Sequence, residues 1–169
     1  VPFDLMYGGT AFYPVHQNVI WTLLLGLLGI RLMEAARAKG KRWLYILTCA
    51  AVVVLGFALG TLGMVDYYGA GVLTVFAFYF FRERKWWCLL GQLAALYWLN
   101  VAVLGGQMYP VTLFGREIEL CEQGLALLAL VPIWLYRGRQ GHHSKAFQYA
   151  CYAFYPAHML VLALLTMIQ

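Results

Sequence analysis

Charged residues are scarce in this 169-residue chain. Asp, Glu, Lys and Arg together make 11% of it, against about 25% in a soluble domain. Apolar side chains make 63%, a count that leaves out 17 glycines, and the mean hydropathy is +0.72. This balance excludes a soluble enzyme, a disordered chain and a nucleic-acid-binding module, so no nucleic-acid partner is expected. Cysteine pairing is absent too: Cys49, Cys88, Cys121 and Cys151 stand thirty or more residues apart, which excludes a C-x-x-C motif and a disulfide ladder, and no metal site is expected. There is no Walker loop, no G-x-S-x-G, no H-E-x-x-H and no bis-histidine spacing for haem.

What remains is a series of apolar runs. Crossing a hydrocarbon core of about 30 Å takes roughly 20 apolar residues as a helix. Six runs predict an all-α, polytopic transmembrane bundle forming a single domain over 1–169. The predicted helices cover about 18–36, 43–62, 66–84, 86–104, 120–136 and 147–168. Asp66 is expected to cap the third of them. Gly56 and Gly60 form a G-x-x-x-G face for close helix packing. The connections are short, which favours antiparallel neighbours.

Eleven of the twelve basic residues (Arg31, Arg37, Lys39, Lys41, Arg42, Arg82, Arg84, Lys85, Arg137, Arg139 and Lys145) fall at the first, third and fifth connections. Arg116 falls at the opposite ends, with Asp4, Asp66, Glu117, Glu119 and Glu122. Cytoplasmic loops are rich in Lys and Arg. The expected topology is therefore multi-pass, with the basic connections inside and the C-terminus outside. The net charge of +5 is a topology signal rather than a phosphate-binding face.

Ionisable groups inside a membrane mark candidate sites. His158 stands about midway along the last helix, two residues after Pro156. Cys151, Tyr155, His158 and Leu162 share one helical face. His158 reads as a site group or as packing glue to a neighbouring helix. His16, Gln17 and Asn18 sit at the mouth of the first complete helix, as a cap or as groups reaching a cavity beside Asp4 or Asp66. Gln92, Asn100 and Gln107 either line a polar channel or bond between helices. The basic loop with Arg137, Arg139, His142, His143 and Lys145 could hold a polyanionic cofactor, since Arg and Lys attract phosphates.

Three stretches carry a family resemblance. PFDLMYGGTAFYPVHQNVIWTLLLGLLGI resembles the central signature of TraX-type membrane proteins. VDYYGAGVLTVFAFYFFR resembles their Asp-Tyr-Gly helix, and YAFYPAHMLVL their closing helix. Order and spacing agree over nearly the whole chain. The resemblance implies a membrane-bound acyltransferase of the bacterial cytoplasmic membrane. It would move an acetyl or other acyl group from a cytoplasmic coenzyme A thioester to an amine or hydroxyl, a pilin N-terminus in conjugation being one acceptor. The matching positions are Asp4, His16, Gln17, Asn18, Asp66, Tyr155, Pro156 and His158. Family members carry further helices before PFDL, one with an Asp-His pair. The chain, which opens without an initiator Met, is thus expected to be N-terminally truncated and to need those helices. The expected catalytic set is His158, His16, Tyr155 and Asp66; Asp4, Gln17 and Asn18 would line the substrate, and Arg137, Arg139 and Lys145 would hold acetyl-CoA or another acyl-CoA. The competing functions are a transporter or an assembly subunit with His158 as proton relay.

Overall fold

The computed structural model describes residues 2–11, 13, 15–113, 116–136, 138, 141 and 144–168. Among these, seven α-helices form: α1 (Pro2–Gly8), α2 (Val19–Ala38), α3 (Arg42–Leu62), α4 (Tyr68–Phe80), α5 (Trp86–Tyr97), α6 (Leu130–Leu135) and α7 (Lys145–Ile168). A π-helix, Trp98–Leu104, continues α5, and a 3₁₀ helix, Glu122–Ala129, leads into α6. Four spans are long and apolar enough to cross a membrane: Val19–Ala38, Arg42–Leu62, Trp86–Leu104 and Lys145–Leu165. Many large apolar side chains on them, such as Leu27, Val54 and Leu165, are exposed, as a bilayer solvent allows.

The chain divides into two compact units, Val19–Tyr136 and the pair of segments Val1–Asn18 and Arg137–Gln169. In the larger unit α2, α3 and α4 pack on one another. Phe76, Met33, Val72, Val52 and Val65 form their shared core. The helices approach closely because glycines line the seams. A Cβ on Gly56 would sit 2.7 Å from the Phe76 ring, and one on Gly60 2.9 Å from the Gly69 Cα. The G-x-x-x-G face therefore packs helices, without an apolar driving force from water.

Gln92 ties the second half of the unit together. Its Nε2 donates to the Phe81 carbonyl at 2.9 Å, and its Oε1 accepts from Trp134 Nε1 at 2.6 Å. It is buried, so it serves as an interhelical bond rather than a channel lining. Arg84 donates to the carbonyls of Trp134 and Tyr136, satisfying the open end of α6 as basic groups do at helix C-termini.

The predicted fifth helix, 120–136, is replaced by a composite. Met108–Leu113 (β1) and Arg116–Cys121 (β2) pair antiparallel, Tyr109 opposite Leu120. The reason is a local period of two: Glu117 and Glu119 alternate with Ile118 and Leu120, which suits a strand and not a helix. The eight 3₁₀ and six α residues that follow rise at about 2.0 and 1.5 Å each, roughly 25 Å in all. The third predicted helix is also shorter than 66–84, because residues 63–68 form a tight turn that delays α4 to Tyr68.

In the smaller unit α1 packs on α7. The buried Ala163 and half-buried Tyr155, His158 and Met159 make one face of α7. Cys151 and Leu162, expected on that face, are exposed. The helix runs unbroken through Pro156.

Candidate functional site

In the smaller unit, α7 places His158 one turn after Phe154. His158 Nδ1 lies 2.9 Å from the Phe154 carbonyl. A carbonyl only accepts, so Nδ1 carries the proton, and in the neutral imidazole Nε2 is the basic nitrogen. The ring is stacked on Phe154, centroids 5.0 Å apart, and meets Tyr155 edge-on at 5.3 Å. The carbonyl that Pro156 deprives of its i+4 donor is that of Tyr152, so the ring is oriented by a different one.

The approach to α2 folds back on α1. His16 stacks on the buried Phe3 at 5.7 Å, and the Tyr13 amide donates to Asp4 Oδ1 at 3.4 Å. Gln17 and Asn18 are half-buried and immediately precede Val19. The structure thus brings Asp4 and His16 to α1, and His158 and Tyr155 to the helix that α1 packs on. Lys145 opens α7, thirteen residues before His158, about 20 Å away along the axis. Arg137, Arg139, His142 and His143 lie outside the described residues.

Asp66 belongs to the larger unit, in the turn from α3 to α4. It does not cap α4. The N-cap is Tyr67, in the left-handed region at φ 58°, and the Gly69 amide donates to the Thr61 hydroxyl at 3.3 Å. Met64 and Tyr68 are left-handed too, at φ 49° and 51°. Three bulky left-handed residues in five cost of order 1–3 kcal/mol each and persist only where the surroundings hold them. Here the Thr22 hydroxyl donates to the Asp66 carbonyl at 2.8 Å.

Beside this turn lies a cavity of about 380 Å³, within the range of small-molecule sites. Thr22 and Leu23 of α2 line it, with Tyr67, Gly71 and Thr74. The π-helix contributes Asn100 and Leu104, the 3₁₀ helix Gln123 and Ala126. Asn100 is buried and its amide donates to the Leu96 carbonyl at 2.9 Å, while Thr74 donates to the Ala70 carbonyl. Both irregular helices of the unit thus open onto one cavity, and π-helical turns are frequent at functional sites. The Thr22, Thr74 and Gln123 linings were not singled out from sequence. The stripe Thr22, Gly26, Gly29 on α2 was the available signal.

Among the described residues no group of three or more His, Cys, Asp or Glu could hold a metal ion. The apolar spans fit a lipid bilayer and define a polytopic helical membrane protein. Residues 1–166 match the model of the family described as TraX protein. The chain belongs to the TraX family. No curated protein and no solved structure matches it significantly.

Proposed function

We propose that the chain is an integral membrane acyltransferase, transferring an acetyl or other acyl group from coenzyme A to an amine or hydroxyl. It would lie in the bacterial cytoplasmic membrane, the basic connections inside and the C-terminus outside. The observation that carries the reading is the TraX match over residues 1–166. The His158 geometry supports it: with Nδ1 on the Phe154 carbonyl, Nε2 is the nitrogen that can take a proton.

In this reading His158 Nε2 accepts the proton of the attacking amine or hydroxyl. The new bond forms at the thioester carbonyl carbon, and the Tyr155 phenol donates to the resulting oxyanion. Collapse breaks the carbon–sulfur bond and expels the coenzyme A thiolate, which takes the proton back from the imidazolium. In the same unit His16 is a second catalytic candidate, and Asp4, Gln17 and Asn18 are assigned to the acceptor, which in a conjugative cell would be a pilin N-terminus. Arg137, Arg139 and Lys145 are assigned to the donor's phosphates, which guanidinium and ammonium groups recognise.

The test supplies radiolabelled acetyl-CoA to the protein in lipid nanodiscs with a membrane extract as acceptor source. Label transfer and free thiol should appear together. If coenzyme A neither binds nor is released, the reading falls, and a transporter or assembly role takes its place.

A further inference from the structure

At the end of α2–α4 that carries the basic residues, the larger unit holds a second cavity, of about 220 Å³. Arg37, Tyr45, Tyr79 and Arg82 line it, with Glu83. Arg37 stands in the last turn of α2 and Arg82 just beyond α4, where the negative end of a helix dipole favours a cation. One carboxylate organises both: Glu34 Oε1 accepts from the Tyr79 hydroxyl at 2.6 Å and from Arg82 Nη1 at 3.2 Å. The Arg82 guanidinium also lies over the Tyr79 ring, 4.8 Å from its centroid. Arg82 is therefore held in place from two directions. Arg37 Nη1 stands 3.7 Å from the same Glu34 oxygen, beyond hydrogen-bond reach, so its guanidinium can turn toward a ligand.

The charges do not cancel. Glu34 faces two guanidiniums, while Glu83 is taken by Lys85 Nζ at 2.5 Å, and that contact holds its carboxyl below the usual range. The cavity is left with one surplus positive charge, and each guanidinium has five N–H donors in a fork that matches phosphate oxygens. We propose that this cavity binds a phosphate-bearing group, with Arg37 and Arg82 as its ligands and Glu34 and Tyr79 positioning Arg82. Two sources share that chemistry at a membrane surface: the phosphates of coenzyme A, which would extend the acyltransfer reading, and the headgroup of an anionic phospholipid, which is independent of it.

The experiment keeps the two apart and reads binding, not turnover, so it can fail while acyl transfer stands, and the reverse. The protein is placed in neutral phosphatidylcholine nanodiscs. Coenzyme A is titrated calorimetrically in one arm. In the other, phosphatidylglycerol is added to the nanodiscs and retained lipid is counted by native mass spectrometry. At least one probe should bind saturably. Arg37→Gln and Arg82→Gln should weaken that binding about tenfold or more, as loss of a charge-assisted hydrogen bond does. Lys39→Gln, a nearby cation outside the cavity, should leave it unchanged. Arg37→Gln removes only the loose ion pair and so should stay folded, and Arg82→Lys should recover part of the loss. Binding of coenzyme A alone or of the lipid alone supports the site and names its source. No saturable binding of either probe, or equal binding by Arg37→Gln and Lys39→Gln, would overturn it.

Discussion

Thr22 on α2 donates its hydroxyl to the backbone carbonyl of Asp66, 2.8 Å away and 44 residues along the chain. The acceptor is the centre of a turn with three left-handed bulky residues, and the donor lines the larger cavity. One bond therefore links the shape of that cavity to the turn that delivers Asp66. Thr22→Val keeps the side-chain volume and removes the donor. It should cost about 1–3 kcal/mol, the penalty of taking a hydrogen-bond partner from a half-buried carbonyl. Hydrogen exchange of amides 63–68 should quicken about tenfold or more; unchanged exchange would show that the turn holds without Thr22.

Gly60 faces the backbone of Gly69 and Tyr68 as well as the Val72 side chain, and the backbone atoms cannot give way. Gly60→Ala should therefore push α3 and α4 apart, lowering stability by about 1–3 kcal/mol as overpacking does. Thermal unfolding in nanodiscs measures this. A substitution without effect at Gly60 would mean that the close α3–α4 approach contributes nothing.

Gln92 satisfies two partners at once, the Phe81 carbonyl and the Trp134 indole. Gln92→Leu leaves both unpaired, whereas Trp134→Phe removes the indole N–H and leaves only Gln92 Oε1 without it. The first should destabilise more than the second, at about 1–3 kcal/mol per orphaned group. Equal losses in a double-mutant cycle would argue against the shared role.

For His158, His158→Gln retains a polar side chain and removes the basic nitrogen. On the acyltransfer reading, turnover should fall about 10²–10⁴-fold, the usual share of general acid–base catalysis, with the protein still inserted and folded. Unchanged turnover would remove His158 as the base, and loss of folded protein would assign it to packing.

Orientation is open to a direct measurement. In a background without Cys49, Cys88, Cys121 and Cys151, a cysteine at position 66 should react with an impermeant maleimide from outside, and one at position 41 should not. The reverse pattern would invert the topology drawn from the basic residues.

The long spans could be read from composition because a bilayer imposes length and apolarity on every crossing helix, whatever it packs against. The strand pair was readable as well, in the alternation of Glu117 to Leu120, but the apolar stretch after it masked the change of period. Asp66 illustrates a different limit. Asp before an apolar run is a fair N-cap signal, yet the cap position falls on Tyr67, because the left-handed turn and the Thr61 hydroxyl already serve the start of α4.

The amino-acid sequence by itself determined a multi-pass helical membrane protein of the TraX family, the glycine seam of α3, and the short set of polar residues from which a site could be built. Hydropathy, charge asymmetry and motif spacing are local along the chain, so they survive without coordinates. Only the tertiary structure decided which polar groups meet, including ones that no sequence pattern marks. It spent Gln92 on an interhelical bond, opened Asn100 and Thr22 onto one cavity, and gathered Arg37, Glu34, Tyr79 and Arg82 at another. Those groupings join residues as distant along the chain as Thr22 and Asn100, and the distance between them is set by the close approach of glycine-lined helices, which no single segment carries.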